Sequence, residues 1–173
     1  MSLDFELIPG ASPCALGPAE RVALFSFRLL ASGGGRCPTL QMVLSDILGK
    51  QGPVAHAGLD LLVRSMNAQA RRKLAVGCPC MKGLTWDEAA VLGLIAAAQH
   101  AEPALIARWF DRLGVHTPRH DAQRGLVWAA TAFSVAGFLF DPDVGDLGLA
   151  AIKARRAPRL RSDANRPDNR GAG

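Results

Sequence analysis

The chain has 173 residues, 49% of them hydrophobic, which supports one domain with a proper core and excludes a wholly disordered polypeptide. Aromatic residues make up only 6%, tyrosine is absent and alanine and leucine dominate, a mixture that favours closely packed helices over sheets. The net charge of +5 sits in the last stretch, because residues 1–152 carry thirteen basic and thirteen acidic side chains; bulk charge therefore excludes a basic nucleic-acid-binding body.

Residues 1–16 read as an irregular lead-in with Pro9, Gly10 and Pro13. Asp4 and Glu6 stand where a secretory signal would carry basic residues, so none is expected. Gly17-Pro18 opens a first helix, with proline at N1 and Glu20 facing the positive end of the helix dipole. It runs to about Ser32 and stops in Gly33-Gly34-Gly35. Thr39 is the expected cap of a second helix, where Leu40, Val43, Leu44, Ile47 and Leu48 form one apolar stripe before Gly49. Pro53 starts the third and longest. Its stripe runs through Leu59, Leu62, Val63, Met66, Ala70 and Leu74, with Asp60 and Arg64 paired outside. Arg71, Arg72 and Lys73 then crowd the last turns, where they complement the negative helix terminus.

Thr85-Trp86-Asp87-Glu88 spells a capping box for a fourth helix, apolar almost all round and reaching about His100. Pro103 starts a fifth, with Leu105, Ile106, Trp109, Phe110 and Leu113 inward and Gly114 at C′. Asp121 is the expected cap of a sixth, ended by Asp141-Pro142. Leu126 to Phe140 is fifteen uncharged residues, short of the roughly twenty a spanning helix needs, so a buried central helix is expected and membrane insertion is not. A short helix near Leu147 to Ala154 precedes the tail. The expected fold is an all-α, single-domain bundle of about six helices over residues 17–152, followed by a disordered basic tail, 153–173. Its core includes Leu44, Ile47, Leu62, Met66, Leu92, Ile95, Trp109, Phe110, Trp128 and Phe133.

With no signal expected, the four cysteines belong in a reducing, cytoplasmic setting, where metal binding, thiol chemistry or burial are the open roles. Cys78-Pro79-Cys80 can point two thiolates at one ion. If consecutive helices alternate in direction, the loops after helices one, three and five share an end and bring together Cys37, Cys78, Cys80 and His116. Three thiolates and an imidazole make a tetrahedral zinc set, and an iron–sulfur centre is a weaker fit. The same cysteines also suit redox sensing, with Lys82 near enough in sequence to help lower a thiol pKa. Pro118 between His116 and His120 argues against a helical histidine pair.

Asp141-x-Asp143-x-x-Asp146 misplaces the glycine and terminal glutamate of a calcium loop, and the three glycines at 33–35 lack the lysine of a phosphate loop. No catalytic motif is present, and an enzyme is not expected. In the tail, Arg155, Arg156, Arg159 and Arg161 are candidates for an anionic partner, nucleic acid or a charged surface.

The order Arg36-Cys37-Pro38 after a glycine turn, a long helix, Gly77 to Cys80, and Thr85 to Glu88 resembles an uncharacterised family of small all-helical bacterial proteins. The likeness covers roughly residues 20–100 and implies a grouping without an activity, ligand or partner. Two function classes stay open. One is a small regulator or adaptor with a metal or thiol site at one end of the bundle. The other is a metal-free module docking on another protein through a bundle face or the tail.

Overall fold

The computed structural model describes residues 7–146. In chain order the helices are α1 (Pro18–Ala31), α2 (Pro38–Leu48), α3 (Gly52–Gln69), α4 (Trp86–Gln99), α5 (Pro103–Arg112) and α6 (His120–Val135). Short 3₁₀ turns lie at Pro13–Ala15, Gly34–Arg36, Gly49–Gln51 and Val144–Asp146. Among the described residues there is no strand, only an isolated antiparallel bridge from Leu7 to Thr85. The fold is all-α. The short helix expected near Leu147, the basic tail and its Arg155, Arg156, Arg159 and Arg161 lie outside the described residues.

α4 is the central element. Every residue from Asp87 to Ala97 is buried, because alanine, leucine and isoleucine surround the helix on all sides. α1, α5 and α6 pack on it, and α3 packs against α1, α2 and α6. The α3–α6 contact is a backbone approach. A Cβ placed on Gly125 would stand 2.6 Å from the Leu62 amide nitrogen and 2.8 Å from the Gly58 carbonyl oxygen. A Cβ on Gly58 would meet the Ala129 nitrogen at 2.6 Å. No side chain separates the two helices there.

Long-range polar ties close the bundle. Glu20, read as a dipole partner, is buried and accepts the Asp141 amide at 2.9 Å, joining the exit from α6 to α1. The Gln99 carboxamide donates to the Phe138 carbonyl at 2.9 Å and accepts the Phe140 amide at 2.9 Å. The lead-in is pinned as well: Ile8 is buried and its amide donates to Leu84 at 2.9 Å.

Five expectations need correcting. α3 ends at Gln69, not near Leu74, because the Arg71 amide is taken by the Gly114 carbonyl at 3.3 Å and tertiary contacts outweigh local propensity. α6 stops at Val135. Gly137, at φ +83°, forms a Schellman close with Phe138 donating to Phe133 and Gly137 to Ser134. α6 is not the central helix, since Val127, Trp128, Thr131 and Val135 face solvent; Trp128 is 41% exposed, with the Arg124 guanidinium 5.3 Å from its ring centre. Ile47 is also outside the core, 38% exposed, because α2 lies at the edge and buries only Leu40, Leu44 and Leu48. The caps shift slightly: Cys37 and Arg119 hold the N-cap positions given to Thr39 and Asp121, which fall inside α2 and α6. No helix among the described residues is long and apolar enough to cross a membrane.

α4 closes by the same Schellman geometry without a glycine. Glu102 donates to Ala97 at 2.9 Å, and Ala101 stands at φ +54°, where its Cβ crowds the backbone. Ala101→Gly is expected to stabilise the fold by about 0.5–1 kcal/mol, the steric relief outweighing glycine's larger unfolded-state entropy. A thermal melt reads this as a rise in midpoint, and an unchanged or lower midpoint would contradict it.

Candidate functional site

The chain between α3 and α4 is held from both sides by ionised side chains. Thr85 caps α4 through the expected box: its hydroxyl accepts the Glu88 amide at 3.1 Å, and the Glu88 carboxylate accepts the Thr85 amide at 2.8 Å. Glu88 does more than the motif requires. It also accepts the Gly77 amide at 2.9 Å and a two-pronged donation from Arg28 of α1, Nε at 2.7 Å and Nη2 at 2.9 Å. Two of the three remaining Arg28 hydrogens go to the Met81 carbonyl at 2.7 Å and the Gly83 carbonyl at 2.6 Å. Both side chains are almost fully buried, at 3% and 0% exposure. A buried charge survives under these conditions, paired and with most of its other hydrogen-bonding capacity occupied.

Asp87 forms a second clamp. It accepts from both Arg72 terminal nitrogens at 2.6 Å and from the Ala75 amide at 2.7 Å, while the Thr85 hydroxyl donates to the Ala75 carbonyl at 2.6 Å. The hydrogen bond to Asp87 raises the Arg72 guanidinium pKa above its ordinary value. Arg72 therefore serves as an anchor between elements and not as the helix-terminus charge expected of it.

Between these anchors the chain reverses. The Met81 amide donates to the Cys78 carbonyl at 2.9 Å, closing a four-residue turn with Pro79 at its second position, where proline's fixed φ is preformed. Cys80, at the third position, has no positive φ, which fits a type I turn and not a type II turn. Residues one and three of the turn are then Cys78 and Cys80. Both are exposed, and their sulfurs stand 2.8 Å apart.

The two thiols are not equivalent. The two thiols share a hydrogen bond in which either sulfur can be the donor, and this bond is the main reason the Cys78 pKa falls below the usual thiol value. The Cys80 and Met81 amides and the Arg28 charge act in the same direction. The same hydrogen bond, together with the negative charge on Cys78, raises Cys80. The cation acting on the pair is Arg28; Lys82, expected in that role, is not among the causes.

The structure brings together two of the four proposed zinc ligands. Cys78 and Cys80 are paired. Cys37 sits half-buried at the N-cap of α2, its pKa lowered chiefly by the Leu40 amide. His116 is exposed after α5, with Nδ1 against the Asp111 carboxylate. Among the described residues no three His, Cys, Asp or Glu side chains gather at metal-binding spacing. The expectation of one shared loop cluster assumed a short connector after a helix reaching Leu74. The chain instead leaves α3 at Gln69 and continues without a helix from Ala70 to Thr85.

Arg28 and Arg72 escaped the sequence reading as organisers of this site. Each occupies a place, late in a helix or just past one, where a basic residue already has an ordinary explanation. Comparisons with protein-family models, curated proteins and solved structures found no match, so the likeness to small bacterial helical proteins adds no assignment.

Proposed function

We propose that this chain is a small cytoplasmic helical regulator or adaptor, not an enzyme, whose responsive element is the Cys78-Cys80 dithiol. The observation that supports this reading is the pair of exposed sulfurs 2.8 Å apart on a turn whose flanks are fixed by Arg28 and Glu88. The chemistry is thiol–disulfide exchange. The Cys78 thiolate attacks a low-molecular-weight disulfide such as glutathione disulfide, the S–S bond breaks, and one glutathione thiolate leaves. Cys80, losing its proton to solvent, then attacks the Cys78 sulfur and displaces the second glutathione. The chain gives up two electrons and the glutathione disulfide gains them.

Titration with glutathione disulfide, followed by intact mass and peptide mapping, should give a Cys78–Cys80 disulfide without a lasting adduct. Cys80→Ser should hold one glutathione on Cys78, whereas Cys78→Ser should react more slowly. Equal adduct formation at Cys14, Cys37 and Cys78 would sink the reading, since it would mean exposed thiols without a special pair.

A second reading has its own support. Val127, Trp128 and Val135 on α6, with Leu139 just beyond it, leave an apolar strip open to solvent. Such a strip suits a metal-free module that docks on another protein.

A further inference from the structure

We infer that the Cys78-Cys80 turn is a two-thiolate binding site for a soft monovalent cation, Cu(I), an inference that rests on the same paired-thiol reading. Ligand chemistry and ligand number both point there. Thiolates select soft ions, among which copper(I), zinc and iron–sulfur clusters compete. Structural zinc sites and iron–sulfur clusters call for four protein donors, and catalytic zinc sites for three. The turn supplies two, and among the described residues no third His, Cys, Asp or Glu joins them. Two thiolates are a complete set for linear copper(I).

The present geometry already accommodates one positive charge between the sulfurs. At 2.8 Å the two sulfurs share one thiol hydrogen bond, in which either can be the donor. Copper(I) can replace the proton of that bond. Binding releases two protons, one from each thiol, and leaves a dithiolate complex of charge minus one, with no electron transferred. Both side chains are exposed, so they can rotate apart to the wider spacing that a linear ion needs without disturbing the core. The turn beneath them stays in place, because Met81 and Gly83 are held by Arg28 and Gly77 by Glu88. That fixed base is what a binding pair needs from the groups behind it.

The test uses the full reduced chain under anaerobic conditions with Cu(I) held as its coloured bicinchoninate complex. The chain should bleach the complex to one copper per chain, with two sulfur neighbours by X-ray absorption and the sedimentation mass of a single copy. Cys14→Ser and Cys37→Ser should behave like the parent. Cys78→Ser and Cys80→Ser should leave the colour intact while keeping the parent's helical circular dichroism. Bleaching by either of those variants would overturn the inference, and so would three or four sulfur neighbours in a complex of two copies. Glutathione-disulfide titration of the metal-free chain separates the two readings. A chain that closes the Cys78–Cys80 disulfide but leaves copper with bicinchoninate loses the copper site and keeps the exchange chemistry. One that takes the copper but does not close the disulfide keeps the site and loses the exchange chemistry.

Discussion

Arg28→Met should destabilise the protein by about 3–5 kcal/mol, the range for removing one partner of a buried ion pair. The loss comes less from attraction forgone than from what is left behind. Glu88 would stay buried with only the Gly77 and Thr85 amides to solvate it, and the Met81 and Gly83 carbonyls would lose their donor. Urea unfolding monitored by circular dichroism reads the change as a lower midpoint. Glu88→Leu on top of Arg28→Met should recover part of the loss, because the uncompensated carboxylate is gone. Recovery should be incomplete, since two backbone amides then lack their acceptor. A loss under about 1 kcal/mol in the single variant would fit a solvated surface pair and contradict the buried clamp.

Gly125→Ala has the next largest expected effect, about 3 kcal/mol, at the upper end of what overpacking costs. The added methyl would meet the Leu62 nitrogen at 2.6 Å and the Gly58 oxygen at 2.8 Å, both of them backbone atoms inside a helix that cannot rotate aside. α3 and α6 would have to separate along their whole contact. Gly58→Ala should cost a similar amount, and the double variant should cost less than the sum because both report one contact. Gly33→Ala provides the control. Gly33 has φ +87° and nothing within 4 Å of its added methyl, so it should lose only about 1 kcal/mol through backbone strain. Equal losses at Gly125 and Gly33 would argue against a close helix crossing.

Helix starts were the most legible feature of this sequence, because each is written locally. Pro18 and Pro103 at N1 and the Thr85–Glu88 box need only a few neighbouring residues, and each lies where it was read. Helix ends were less legible when tertiary partners decided them. Gly114 terminated α5 as expected, but α3 gave way at Gln69 to a carbonyl from Gly114, more than forty positions along the chain. Face assignment failed where a helix was apolar on more than one side. Trp128 belongs to a run with no charged residue to mark the outside, and Thr131 alone was too weak a signal for periodicity to show that α6 turns that side to solvent. At the candidate site, the Cys78-Cys80 pair was visible as a spacing. Arg28 was not, because its partner Glu88 lies 60 residues away and was already accounted for as a cap.

The polar ties between distant segments bear on how the chain reaches this structure. Helical bundles usually fold quickly because most of their contacts join residues near in sequence. Here Arg28 waits for Glu88, and Glu20 for an amide 121 positions further on. Each tie encloses a large loop whose closure entropy must be met before the bond forms. The individual helices and the α5 hairpin-like return can therefore appear early, while the Cys78-Cys80 turn takes its final shape only when α1 and α4 dock. From the long sequence separation of these ties, the thiol pair is expected to mature late in folding, and a Cys78–Cys80 reactivity that appears with the helical circular dichroism during refolding would contradict this.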